Sequence, residues 1–232
     1  MPAPDSRGRQ ASSRDFGRQG IGLLVVEAYE ADLVNQPQDM SYVLTRLLAL
    51  SAQPGDAFSG LLDPQEIGAA GQSDGGDTVA ALAANSCCID HRLKAVGVLS
   101  GAEWPPMPGR YFPGGAPPML FTQGSAATVN PSWASLQLYR ADSAAARYYR
   151  DLFGASHLIP YEGTNPVERR TARVTLAFSD RYVLGQADAL KTMTRDGNVT
   201  GAAALVSDGS RRRDPAHGTG CRTMVYHLRH EH

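Results

Sequence analysis

The fold class expected from this sequence is α/β: a mostly parallel sheet with helices on both of its faces. Three observations lead there. The run "IGLLVVEAY" (21–29) is continuously apolar and rich in β-branched residues, the pattern of a strand buried on both faces. Met40, Val43, Leu44, Leu47 and Leu48 then recur at i, i+3, i+4, i+7 and i+8, which draws one apolar stripe along a helix. Further on, short strand-like runs followed by glycine alternate with helical patterns, the order of strand–helix–strand units.

Residues 1–19 hold Arg, Ser, Gly, Pro and Asp, with too little apolar content to offset the entropy of ordering, and are expected to form a loose arm. Residues 20–207 are expected to form the domain. Pro37 suits the first turn of the helix that carries the Met40 stripe. "LLDPQ" reads as a turn, "EIGAA" as a short strand and "DTVAALAANSCC" as a helix of small residues that lets helix and sheet approach closely. "LKAVGVLSGA" and "PPMLFTQG" are two further strands, "SWASLQLYRA" a helix and "ARYYRDLF" a strand. A last helix runs over Thr171 to Leu184, with Val174, Phe178 and Tyr182 on one side and Gly185 as its stop. Residues 208–232 form a basic, histidine-rich tail, where His227, His230 and His232 are either a metal-binding group or a solvated terminus.

A chain of 232 residues, 42% apolar, is long enough to bury one sizeable core. Its formal charge of -1 offers no broad field for nucleic acid or an anionic membrane, so neither is expected as a partner. No apolar run approaches the ~20 residues that span a bilayer, and the first residues contain no apolar export segment. A cytoplasmic location is the default expectation, or secretion if a longer precursor exists. Cys87 and Cys88 are adjacent and Cys221 is distant, so the three cysteines read as thiols, with Cys87 or Cys88 filling core space on a helix. No metal or cofactor is expected.

The informative stretch is "GQSDGG" (71–76), which lies between a strand pattern and a helix pattern. Gly71, Ser73 and Gly75 satisfy G-x-S-x-G, in which a sharp strand-to-helix turn lifts a serine hydroxyl above the sheet. The same turn presents the backbone N–H of Asp74 at a helix N-terminus, where it can face a developing oxyanion. The alternative is a plain glycine-rich connection.

Together, "DPQEIGAAGQSDGGDTVAALA", "PPMLFTQGSAATVNP", "GASHLIPY" and "RVTLAFSDRYVLG" resemble, in order and spacing, the second half of α/β-hydrolases of the dienelactone-hydrolase and cutinase-like polyester-hydrolase group. The likeness spans about Ile21 to Asp208. It implies an α/β-hydrolase-like sheet of eight strands, Ser73 as nucleophile and His157 as general base. His157 is also favoured by elimination. Of six histidines four lie in the tail, and His91 precedes a strand, at the wrong end of the sheet for a site at the carboxyl ends.

The chain departs from that group in three places. The position of the acid that orients the histidine holds Ala127. Glu103, beyond the preceding strand, is the candidate substitute, or else an ordinary loop carboxylate; Asp142 and Glu162 are less well placed. Gln72 stands where a histidine commonly precedes the nucleophile. The group's first strands and the loop that donates a second oxyanion N–H have no counterpart, which implies a truncated or rearranged sheet with edges through which chains can associate. The expected function is serine hydrolysis of carboxylic esters, polyester, aromatic or short-chain, with Trp104 and Trp133 as walls of the site. The alternative is a catalytically impaired hydrolase-like protein with a binding role or none.

Overall fold

A computed structural model describes residues 33–207. The expected arm at 1–19, the strand at 21–29 and the tail at 208–232 lie outside the described residues. The chain between them runs α1 (Gln36–Ala52), β1 (Ile67–Gln72), α2 (Asp74–Ala84), β2 (Leu93–Leu99), β3 (Met119–Gly124), α3 (Ser132–Ala141), β4 (Arg147–Leu152), α4 (Pro166–Tyr182), α5 (Ala189–Gly197) and β5 (Ala203–Ser207).

The five strands pair in sequence order, β1-β2-β3-β4-β5. The first four are parallel, and β5 returns antiparallel to β4. The α/β expectation is met. The described strands form one unbroken ladder rather than a sheet interrupted by a gap, and they number five where the resemblance implied eight.

Side-chain alternation along the inner strands divides the core in two. Val96, Val98, Met119, Phe121 and Tyr149 face α2 and α3, where they bury Val79, Leu82 and Leu138. Ala95 and Leu120 point the other way, against Val174 and Phe178 of α4 and Met193 of α5. Helices therefore cover both faces. The predicted stripe of α1 is its half-buried side, and Met40 packs against the first of these clusters.

Two element boundaries differ from expectation, and two elements were not expected. Helix α4 starts at Pro166, five residues before Thr171, because the Asn165 side chain caps it by accepting from the N–H groups of Val167 and Glu168. The small-residue helix stops at Ala84 rather than continuing through the cysteines: the Asn85 carbonyl oxygen of the side chain accepts from the Cys87 N–H and turns the chain aside. Cys87 and Cys88 lie in that turn and are joined to each other as a disulfide, so they are not the core thiols expected on a helix. Helix α5 and strand β5 complete the domain without having been anticipated. Asn198 ties them together, its amide donating to Thr194 O at 2.9 Å and its carbonyl accepting from Leu205 N–H at 3.0 Å.

Candidate active site

The turn from β1 into α2 is tight, and Ser73 sits at its apex. Ser73 has φ 56° and ψ -123°, a conformation that a residue with a side chain adopts only when its surroundings hold it there. They do. The Ser73 N–H donates to Leu99 O on β2 at 2.9 Å, and its carbonyl accepts from Asp77 N–H at 3.0 Å as the helix starts. Gly71 is required by the turn itself, since a Cβ there would lie 2.0 Å from Gly75 O. Gly75 is not, because a Cβ at that position meets nothing within 4 Å. The second tight contact belongs instead to Gly76 and Gly101, whose backbones meet so closely that a Cβ on Gly101 would lie 2.7 Å from Gly76 C.

His157 arrives from the turn after β4 and places Nε2 2.8 Å from Ser73 Oγ. Two features hold that turn above the sheet. Gly124 lets the end of β3 pass beneath it, at a position where a Cβ would lie 2.4 Å from Ala155 O. Asn165, besides capping α4, donates its amide to Ile159 O at 2.9 Å and Glu162 O at 3.0 Å. Gln72, the neighbour of the serine, brings its amide nitrogen to 3.4 Å from both His157 O and His157 Nε2.

The surroundings of the imidazole favour its neutral form. Burial pushes its pKa below the ordinary value, against smaller opposing effects from the Asp74 carboxylate, the Val129 backbone and the Glu162 carboxylate. Nδ1, the far nitrogen, is buried and no side chain pairs with it; its polar neighbour is the Val129 backbone, which acts on the imidazole without reaching the geometry of a full hydrogen bond. Ala127 is buried and carries no carboxylate. Glu103 is exposed on the loop after β2 and makes no bond to His157. Asp142 is wholly buried at the end of α3, where it accepts from Ala144 N–H at 2.8 Å, and Glu162 is exposed. Serine and histidine are thus brought together, and no described carboxylate joins them as a third member. His91 is exposed just before β2, at the opposite end of the sheet from Ser73.

Beneath the pair lies a polar layer that sequence reasoning missed. Ser100 Oγ donates to Tyr161 Oη at 2.9 Å, and that hydroxyl donates to Thr122 O at 2.8 Å, bridging the ends of β2 and β3 to the His157 turn. Asn130 donates to Ser100 O at 3.0 Å and lies 3.5 Å from Asp77 Oδ1, which accepts from Ala102 N–H at 2.6 Å. Asp77 is almost wholly buried, and burial pushes its carboxyl up to about 7, with the Ala102 N–H opposing and the Asp74 charge adding to the rise. Ser100 and Asn130 both have positive φ, 49° and 47°, so the loops after β2 and β3 are bent sharply where they meet this layer.

The Asp74 N–H is at the first turn of α2, the end of a helix whose unpaired amides favour negative charge. Trp104 is half-buried on the loop after β2, and Trp133 is exposed in the first turn of α3. Among the described residues there is no group of three or more histidine, cysteine, aspartate or glutamate side chains able to hold a metal ion, and no helix is long and apolar enough to cross a membrane. Neither a protein-family model nor a curated protein matches this chain.

Proposed function

We propose that this protein is a serine hydrolase of carboxylic esters that works through an acyl-enzyme. The observation that carries the reading is the 2.8 Å approach of His157 Nε2 to a serine hydroxyl held on a strained strand-to-helix turn. In the first half-reaction Ser73 Oγ attacks the ester carbonyl carbon while its proton passes to His157 Nε2. The Asp74 N–H faces the carbonyl oxygen as it becomes an oxyanion. The imidazolium then gives its proton to the departing alkoxide as the C–O bond breaks. Water repeats the sequence on the acyl-serine and releases the acid.

Accepting at Nε2 requires the tautomer with hydrogen on Nδ1. The Gln72 amide, 3.4 Å from Nε2, favours that tautomer because it is itself a donor. No carboxylate stabilises the imidazolium, however, and loss of that partner costs roughly 10²–10⁴-fold in rate in serine hydrolases generally. This is also the observation behind a second reading, a hydrolase-like protein whose chemistry is impaired. The expected activity is therefore slow hydrolysis of short-chain p-nitrophenyl esters, abolished in Ser73→Ala, with covalent labelling by a fluorophosphonate lost in the same variant. Labelling without turnover supports the impaired reading; a rate above background that survives Ser73→Ala removes the nucleophile assignment altogether.

A further inference from the structure

His157 has one ring nitrogen on Ser73 and the other turned into the protein, where Nδ1 is buried and no side chain among the described residues pairs with it. An imidazole that accepts a proton at Nε2 keeps its hydrogen on Nδ1, and which nitrogen holds that hydrogen is set by the bond the other makes. We propose that the main-chain carbonyl of Val129 is the acceptor for His157 Nδ1–H, in the place of a carboxylate, and that Asn130 is the residue that positions it, a role that rests on the hydrolase reading above.

The loop after β3 is folded so that main chain rather than side chain meets the ring. Val129 sends its side chain outward, 57% exposed, while its backbone is the polar neighbour of the imidazole. That backbone favours the charged ring, which identifies the carbonyl as the group that faces it, because a carbonyl accepts from an imidazolium whereas an N–H opposes one. Ala127, two residues earlier, is buried and offers no side-chain acceptor in competition. The Asp74 and Glu162 carboxylates act on the ring as charges without bonding to it.

Asn130 fixes the carbonyl from the next position. Its φ of 47° is left-handed, a conformation that asparagine tolerates better than most side chains. Its amide donates to Ser100 O at 3.0 Å and lies 3.5 Å from Asp77 Oδ1, and its own carbonyl accepts from Nε2 of the buried Gln123 at 3.0 Å. The residue is thus tied to the end of β2, to α2 and to β3. The start of the same loop is joined to the His157 turn: the Ser125 N–H donates to Leu152 O and the Ala126 N–H to Ala155 O, both at 3.0 Å, and Ser125 Oγ accepts from the Gly154 N–H at 2.8 Å. Carbonyl and imidazole therefore share one frame, in which their approach closes to a hydrogen bond as the ring becomes charged, since catalytic hydrogen bonds often tighten only in the reacting complex. The serine proton ends on Nε2 and the Nδ1 hydrogen stays on the ring; none passes to the carbonyl. A neutral acceptor stabilises the imidazolium less than a carboxylate does, which accords with slow turnover.

Proton and nitrogen-15 NMR of the full chain, isotopically labelled at histidine and recorded at neutral pH, tests the assignment, with the His157 signals identified by their loss in His157→Gln. The expected state is a neutral ring with its hydrogen on Nδ1, resonating downfield of the ring hydrogen of exposed His91, exchanging with water about 10-fold or more slowly than it, and retained in Ser73→Ala. Asn130→Gly keeps the left-handed backbone and loses the amide; there the hydrogen should move upfield and exchange about 10-fold or more faster, and kcat on p-nitrophenyl esters should fall about 10-fold with KM little changed. Hydrogen on Nε2 in the unmodified protein, or exchange as fast as at His91, overturns the proposal whether or not Asn130→Gly folds. So does an Asn130→Gly protein that is folded by circular dichroism and keeps either the downfield, slowly exchanging hydrogen or the original kcat. If no ester is hydrolysed at all, the hydrolase reading falls, and the Nδ1 hydrogen alone decides the contact with Val129.

Discussion

A methyl group has nowhere to go at Gly71, since its carbon would sit 2.0 Å from Gly75 O. Gly71→Ala is therefore expected to abolish Ser73-dependent labelling and to lower stability by about 1–3 kcal/mol, whereas Gly75→Ala, with open space around it, should be tolerated in chemical denaturation. The lack of a carboxylate at Nδ1 of His157 yields a second prediction at this scale. Ala127→Asp should raise kcat by ~10-fold or more if the new carboxylate reaches Nδ1, and Glu103→Gln should change little. A large loss in Glu103→Gln would show instead that this side chain swings in during the reaction. The pH profile follows from the same imidazole. A base must be neutral, and its pKa is lowered, so kcat/KM should rise along an acid limb with its midpoint below ~6.5 and be flat near neutrality. A working Ala127→Asp should move that limb to higher pH, because an adjacent carboxylate favours the charged imidazole. Ser73 and His157 were legible in the sequence because a short motif and a scarcity of histidines single them out. Gln72, Ser100, Asn130 and Tyr161 were not, because their roles exist only where side chains from separate loops meet.

The elements differ in how openly they announce themselves. Helix α3 was readable to the residue, and the stripe of α1 was readable from its period, because apolar spacing survives in both. The first turn of α4 was missed because Glu168, Arg169 and Arg170 carry no apolar repeat, although the pair Asn165 and Pro166 is an N-cap followed by a proline at the first helical position, and signals the start. Strand β5 is a short edge returning antiparallel, too brief for its alternation to stand out. Asn165 has two tasks, and Asn165→Ala should show both: a loss of about 1 kcal/mol from the cap, and a slower Ser73-dependent rate because the His157 turn loses its ties to Ile159 and Glu162. Asn165→Asp, which retains only the capping oxygen, should recover the stability without the rate. At the start of α2, Asp77 makes the helix answer to pH. Its carboxyl is neutral up to about 7 in the fold and ionises near 3.8 when unfolded, so the folded state holds a proton that the unfolded chain has released. Stability from this group is complete below pH ~4 and falls as pH rises toward ~7, by on the order of 4 kcal/mol. Asp77→Asn, whose side-chain oxygen can still accept from Ala102, should flatten that slope and be the more stable protein at pH ~8 in urea unfolding.

At the scale of the whole molecule, alternation of strand and helix patterns was enough to establish the fold class, since each pattern is local and the layering follows from burying apolar faces. Strand count and the final return were not, because they depend on which segments pair at a distance. The same distance governs the chemistry. Ser73 follows β1 and His157 follows β4, strands that never touch and are separated by both β2 and β3. Three inter-strand steps of about 4.8 Å leave ~14 Å between the strand axes, a gap that the two turns close only by leaning toward each other over the ends of β2 and β3. The 2.8 Å contact is consequently a gauge of long-range order: any slackening of the sheet, of the Gly124 crossing or of the Tyr161 bridge is magnified at the two turn tips. Reactivity toward a fluorophosphonate should decline at lower denaturant concentrations than the helical circular dichroism signal, so that the serine reports a loosened tertiary frame while the helices beneath it are still wound.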